Sequence, residues 1–216
     1  MGEVDVAADE LAQRLSALSD SRPRVLVGIC GAPGAGKSTL AALLASELNR
    51  ADPGSAVVVP MDGFHLAKSV IAADDRAHRR GAPDTFDPDG YAALLERLRE
   101  PGPKTIYAPE YRREIEDPVA GAIPVPPECR VVITEGNYLL HPEPVWRRVR
   151  ACLDEVWYLS APSEPDRIEA LIRRHERFGK SPEHARTHTL GSDQANAELI
   201  AGHRSSADLQ LRWPSW

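Results

Sequence analysis

Cysteine and long apolar runs are both scarce in this chain, and each shortage removes a class of protein. Of 216 residues only Cys30, Cys129 and Cys152 are cysteines, an odd number without metal-type spacing. That pattern excludes a disulfide framework and a cysteine zinc site, and it fits buried free thiols in a reducing cytoplasm. No stretch is apolar over the length that a membrane-spanning helix needs. The opening residues MGEVDVAADE are acidic and unlike an export signal. The formal net charge of −6 gives no electrostatic footprint for nucleic acid. The N-K-x-D string of guanine-binding switches is missing, as is an L-S-G-G-Q-like transporter signature. The glycine-rich stretch from Gly31 reads G-x-x-G-x-G, not the G-x-G-x-x-G of a dinucleotide site. Asp87-Pro-Asp-Gly90 matches D-x-x-G but follows no strand, and reads as a turn.

What is present centres on RVLVGICGAPGAGKSTL, Arg24 to Leu40. Arg24 to Cys30 reads as a buried strand, and an alanine- and leucine-rich helix follows from about Ser38 to Asn49. Between them, Gly31 to Ser38 fits G-x-x-x-x-G-K-[ST] at every fixed position. The residues expected to wrap the phosphates are Gly31, Ala32, Pro33, Gly34, Ala35, Gly36, Lys37, Ser38 and Thr39. Glycines let consecutive N–H groups face one concavity, and the helix N-terminus adds positive field. Lys37 is expected on the β- and γ-phosphates of ATP, and the Ser38 hydroxyl on Mg²⁺.

The rest of the pattern alternates strands with helices, which predicts a three-layer parallel α/β sheet in one domain over residues 1–216. Helical spacing covers Val4 to Leu18. Strands are predicted at 56–60, 130–134, 155–159 and 207–211, and a short helix at 91–100. Residues 101–127 hold seven of the 19 prolines. They read as a hairpin excursion over the active site, with small strands at 105–107 and 123–125. Ser163 caps a charged helix to about Phe178. A second helix runs from Pro182 to His203, with Gly191 as its weak point. The region from about 163 to 190 is expected to be a lid. The four tryptophans, Trp146, Trp157, Trp213 and Trp216, read as core or surface-patch residues.

In such a sheet, ligands bind beyond the carboxyl ends of the strands. Asp62 follows the strand AVVVP there and is placed to accept a hydroxyl proton. Glu135 follows RVVIT and is placed near Mg²⁺ and substrate. Arg173, Arg177 and Lys180, at i, i+4 and i+7, could cover the triphosphate. Glu169 and Glu176 stand four residues before Arg173 and Lys180, so a merely salt-bridged helix is the competing reading. Acceptor-side candidates are His65, Arg80, Asp84, Tyr107, Arg112 and Arg113. Asp193 and Asn196 read as packing residues that could also approach the nucleotide base.

GAPGAGKS, MDGFH, PDTFD, Pro109-x-Tyr111, ITEGNY and the arginine-bearing lid together resemble the phosphoribulokinase/uridine kinase family of P-loop kinases. Within it the chain looks nearest to bacterial proteins called fructose or sugar kinases, and more distantly like pantothenate kinase. The resemblance implies Asp62 as base, a hairpin shaping the acceptor pocket, and lid arginines at Arg173 and Arg177. The stretch from Arg80 to Asp87 and the pair Phe178 and Lys180 depart from the uridine kinase pattern. The expected activity is ATP- and Mg²⁺-dependent transfer to a hydroxyl of a sugar-like small molecule, in a cytoplasmic protein that could be a homodimer. A nucleoside or pantothenate-type kinase and a non-catalytic nucleotide-binding regulator are the alternatives.

Overall fold

The first of the predicted strands is the centre of the molecule. In the computed structural model, which describes residues 2–215, β2 (Val25–Cys30) is buried along its whole length. A strand covered on both faces needs a continuous apolar run, which is what VLVGIC supplies. Its neighbours are β6 (Val131–Gly136), also buried throughout, and β7 (Glu155–Ser160). Outside them lie β3 (Ala56–Val58) next to β6, then β8 (Leu209–Arg212) and β1 (Val4–Asp5) next to β7. The six strands run parallel in the order β1-β8-β7-β2-β6-β3.

Helices cover both faces. On one, α1 (Ala8–Asp20) and α2 (Lys37–Ala51) bury Leu11, Leu15, Leu40 and Leu44 against Val27, Ile29 and Trp157. On the other, α4 (Pro88–Arg99) and α5 (Pro144–Ala151) pack Tyr91, Leu95, Trp146 and Val149 against Leu26, Val132 and Val156. A short helix, α3 (Lys68–Ala73), lies beyond the end of β3. Two of the tryptophans, Trp146 and Trp157, are core residues; Trp213 is partly buried, and Trp216 lies outside the described residues. All three cysteines are free and buried.

Two predicted boundaries shift for physical reasons. The helix expected from Val4 starts at Ala8, where Asp9 and Glu10 complement the positive end of its dipole. Val4 and Asp5 instead form an edge strand, and Val6 N–H donates to the Arg212 carbonyl at 2.9 Å. The proline-rich excursion is a longer antiparallel hairpin than expected, β4 (Ile106–Arg112) with β5 (Asp117–Val125). A two-stranded ribbon leaves one edge of each strand unpaired, so Pro109, Pro118 and Pro124 cost no ladder bond there. Asp87 caps α4 by accepting from Gly90 N–H at 2.9 Å, which is the turn expected for that D-x-x-G match.

The lid region begins as predicted. Ser163 accepts from Asp166 N–H at 3.2 Å and opens α6 (Glu164–Arg177). The following helix does not break at Gly191. It runs as α7 (Pro182–His188), widens into a π-helical turn over Thr189–Asp193, and continues as α8 (Gln194–Ala201).

Candidate active site

The loop between β2 and α2 closes against the lid helix. Gly34 and Gly36 take φ of 81° and 87°, which side chains resist. A Cβ on Gly34 would lie 2.7 Å from Leu171 Cγ and 2.9 Å from the Arg167 carbonyl. A Cβ on Gly31 would lie 2.4 Å from the Leu159 carbonyl. The loop backbone is therefore pressed between β7 and α6. Arg167 fastens it: its Nη1 donates to the Pro33 carbonyl at 3.0 Å and its Nη2 to Glu164 at 2.6 Å. With only 3% of its surface exposed, Arg167 is a structural tie between loop and lid.

At the start of α2, Lys37 is buried. Its Nζ donates to the Ala32 carbonyl at 3.1 Å and to Asn137 Oδ1 at 2.8 Å. Burial pulls its pKa down, while the charges of Glu135 and Asp62 oppose that fall. Ser38 Oγ donates to Glu135 Oε1 at 2.9 Å, so the loop and the end of β6 meet as expected. Burial raises the Glu135 carboxyl above the usual carboxylate range, against the pull of Lys37. A serine hydroxyl and a carboxylate are hard oxygen donors, the set that Mg²⁺ takes. Thr39 follows on the first turn of the same helix.

Asp62 lies on a 3₁₀ turn, Met61–Phe64, directly after β3. It lines an open cleft of about 200 Å³ together with His65, Arg80, Tyr111, Arg113, Asn137 and Arg174. Arg113 Nη2 stands 3.7 Å from Asp62 Oδ2. His65 Nδ1 donates to the Asp62 carbonyl at 2.8 Å, and its ring packs at centroid distances of 4.0 Å on Phe86 and 4.8 Å on Tyr111. That burial keeps His65 below the ordinary imidazole pKa, so it is neutral at pH 7. Gly63 has no room for a side chain, because a Cβ would lie 2.4 Å from the Pro109 carbonyl of the hairpin.

The structure corrects several expected positions. Arg173 is exposed and paired with Glu169 at 2.5 Å, and Arg177 is exposed; neither lines the cleft. The lid arginine that does is Arg174, which burial holds below the usual guanidinium pKa. Arg167, Leu171, Arg174 and Phe178 make one stripe of α6, and Leu171 fixes that stripe inward against Gly34. Asp84 is exposed on Arg79 at 3.1 Å, Arg112 pairs with Glu110 at 2.6 Å, and Tyr107 is 59% exposed on the hairpin. These three also stand outside the cleft.

Other cleft residues were given no catalytic role by sequence reasoning, and Asp193 and Asn196 were read first as packing residues. Asn137 holds Lys37, and its only sequence signal was its place in ITEGNY. Tyr111 was visible only as part of Pro109-x-Tyr111. His175 donates through Nε2 to Asp193 Oδ2 at 2.8 Å, across the gap from α6 to the π turn. Burial alone would raise the Asp193 carboxyl, but the His175 hydrogen bond and the nearby His188 and Arg174 hold it below its usual value. His175, His188 and Asp193 bring potential ligand atoms within 4.8 Å of one another. Arg174 and Lys180 beside them set positive charge against a cation there. Asn196 also reaches the cleft.

No family model matches the chain. A Schizosaccharomyces pombe protein named "Putative uridine kinase C227.14" is 34% identical over 211 residues, 94% of this chain and 89% of that protein. A crystal structure from Silicibacter sp. TM1040, described as a "putative fructose transport system kinase", superimposes with a TM-score of 0.83. It is 36% identical and covers 97% of this chain and all of its own, 100%. YFH7 from Saccharomyces cerevisiae, described as "a putative P-loop containing kinase with a circular permutation", superimposes with a TM-score of 0.81 over 96% of this chain and 98% of its own. At 19% identity that second likeness concerns the fold alone. Identity of this extent over nearly the whole chain shows that it belongs to the phosphoribulokinase/uridine kinase family of ATP-dependent P-loop kinases.

Proposed function

We propose that the protein transfers the γ-phosphate of ATP to a hydroxyl of a sugar or sugar-like metabolite, with Asp62 as the base. The observation that carries this reading is the position of Asp62. It borders the open cleft, one strand away from the Ser38–Glu135 pair, where an acceptor hydroxyl can approach the γ-phosphate in line. Asp62 takes the hydroxyl proton as that oxygen bonds to phosphorus and the bond to the bridging oxygen of ADP breaks. Lys37 and the loop N–H groups hold the β- and γ-phosphates, and Arg174 faces the charge that spreads onto the transferred group. Ser38 and Glu135 would hold Mg²⁺, which when bound neutralises charge on the phosphate oxygens.

An ADP-release assay with Mg-ATP and a panel of sugars, sugar phosphates, nucleosides and pantothenate tests the reading. ADP formation that rises only with an added hydroxyl compound marks a kinase; ADP formation indifferent to every compound marks an ATPase or a nucleotide sensor. With an accepted substrate, Asp62→Asn should lower kcat by about 10²–10⁴-fold, since Asn binds the hydroxyl but cannot take its proton. ATP affinity by calorimetry should stay within twofold of wild type. Normal turnover by Asp62→Asn together with a dead Glu135→Gln would move the base to Glu135.

A further inference from the structure

The acceptor half of the cleft carries cations whose donors its own acids do not use. Arg80 and Arg113 stand over the Tyr111 ring, their guanidinium carbons 5.6 Å and 5.9 Å from its centroid. Stacking on an aromatic face holds a guanidinium plane while leaving its edge donors available. Arg113 is held a second time, 5.5 Å over Phe178 of the lid. Its nearest acid is Asp62 at 3.7 Å, beyond hydrogen-bond length. Arg80 Nη2 donates to the Glu116 carbonyl and lies 3.7 Å from Asp117, yet its Nε is buried without a partner. A buried guanidinium N–H without an acceptor is costly unless a ligand supplies one. Lys180 lines the same wall and forms no salt bridge among the described residues.

The start of α2 and α6 carry cations of their own. Lys37 is held by Asn137 at the start of α2 and Arg174 stands on α6, whereas Arg113 follows β4 at the hairpin turn and Arg80 is bonded to Glu116 of that turn. Arg113 is nonetheless close enough to Asp62 that one small molecule can touch both.

We propose that the phosphate acceptor is itself an anion: a short polyhydroxylated molecule whose carboxylate or phosphate is clamped by Arg113 and Arg80 while a hydroxyl a few bonds away faces Asp62. The clamp spans the hairpin and the lid, since Arg113 rests on Tyr111 of one and Phe178 of the other. Binding the anion therefore fixes the lid over the acceptor. This inference rests on the kinase reading for its chemistry, but the clamp can be measured without catalysis.

Two arms separate the claims. In calorimetry without nucleotide, the full chain is titrated with D-glycerate, fructose 6-phosphate and fructose. A carboxylate source gives binding of glycerate, a phosphate source gives binding of fructose 6-phosphate, and neutral fructose should bind at least tenfold more weakly than the better anion. Arg113→Gln and Arg80→Gln should each weaken that anion by about 10- to 100-fold, the range for losing a charge-assisted hydrogen bond. Arg113→Lys should recover part of the loss, and thermal unfolding checks that each variant folds. In the ADP-release arm, the same substitutions should raise KM for the anionic acceptor and leave KM for ATP within twofold. Tight binding of neutral sugars that neither arginine substitution alters would overturn the clamp. If the anion binds through Arg113 but no compound stimulates ADP release, the clamp stands and the kinase chemistry falls.

Discussion

Arg174 and Arg173 are adjacent in sequence and opposite in circumstance. Arg174 lies against the cleft, where burial depresses its pKa; Arg173 is in solvent on Glu169. Arg174→Ala should therefore lower kcat by about 10²-fold or more, the usual cost of removing one donor aimed at transition-state charge. Arg173→Ala should leave kcat near wild type and change stability by less than about 0.5 kcal/mol, as for exposed i, i+4 pairs. Steady-state kinetics of the two variants decides it, and a large kcat loss in Arg173→Ala alone would return the lid role to the exposed face. The residues assigned to phosphate chemistry stand out in the sequence because the phosphate loop encodes its geometry in consecutive positions, and Asp62 and Glu135 end recognisable strands. Choosing between Arg173 and Arg174 was different. One residue along a helix turns the side chain by about 100°, and the inward face is set by Leu171 meeting Gly34, a contact between segments far apart in sequence. Leu171 was the available signal: it shares a stripe with Arg174, while Arg173 shares one with Glu169 and Glu176.

At the scale of elements, the lid is joined to the phosphate loop at its root. Arg167 donates to Pro33, Glu164 and Gln194, linking the loop, the first turn of α6 and the start of α8. Arg167→Met keeps the length and apolar bulk but removes every donor. The variant should lose about 2–3 kcal/mol of stability, and its KM for ATP should rise because the loop loses its backing. Chemical denaturation and ATP titration check both; unchanged ATP affinity would mean the loop keeps its shape without that tie. The hairpin and the π turn show what element-level reading missed. Prolines suggested short strands, yet a two-stranded ribbon tolerates them. Gly191 marked a weak point in the second lid helix, and there the helix absorbs an extra residue by widening and so brings Asp193 to His175. Both outcomes depend on partners distant in sequence, which local propensity does not contain.

For the molecule as a whole, the buried histidines set an acid limit. Burial lowers the pKa of His65, His141 and His188 below the ordinary value of 6.5. The unfolded chain takes up these protons near the ordinary value and the folded chain resists them. The unfolded state then binds more protons below about pH 6.5, so stability rises with pH through that window and levels off above it. The melting temperature should be flat from pH 7.5 to 8.5 and fall steadily from pH 6.5 to 5. His188→Gln should make that fall shallower, and a melting temperature that rises on acidification would contradict the burial of these rings.

The edge pairing of β1 with β8 has a consequence for covalent continuity. Val4 lies opposite Leu211 and Asp5 opposite Arg212, so stretches near the two ends of the chain run side by side. Parallel strands are spaced by about 5 Å, and a linker of about six residues can carry the chain from 213 back to 3. The exposed turn at 102–104, between α4 and β4, then becomes a place to cut. A chain rejoined and reopened in this way should fold to the same sheet order and bind ATP, although its phosphate loop would lie far from the new N-terminus. Circular dichroism and ATP calorimetry on the reordered chain read this directly; an aggregated or nucleotide-blind product would show that the direction of synthesis, and not only the set of contacts, determines this architecture.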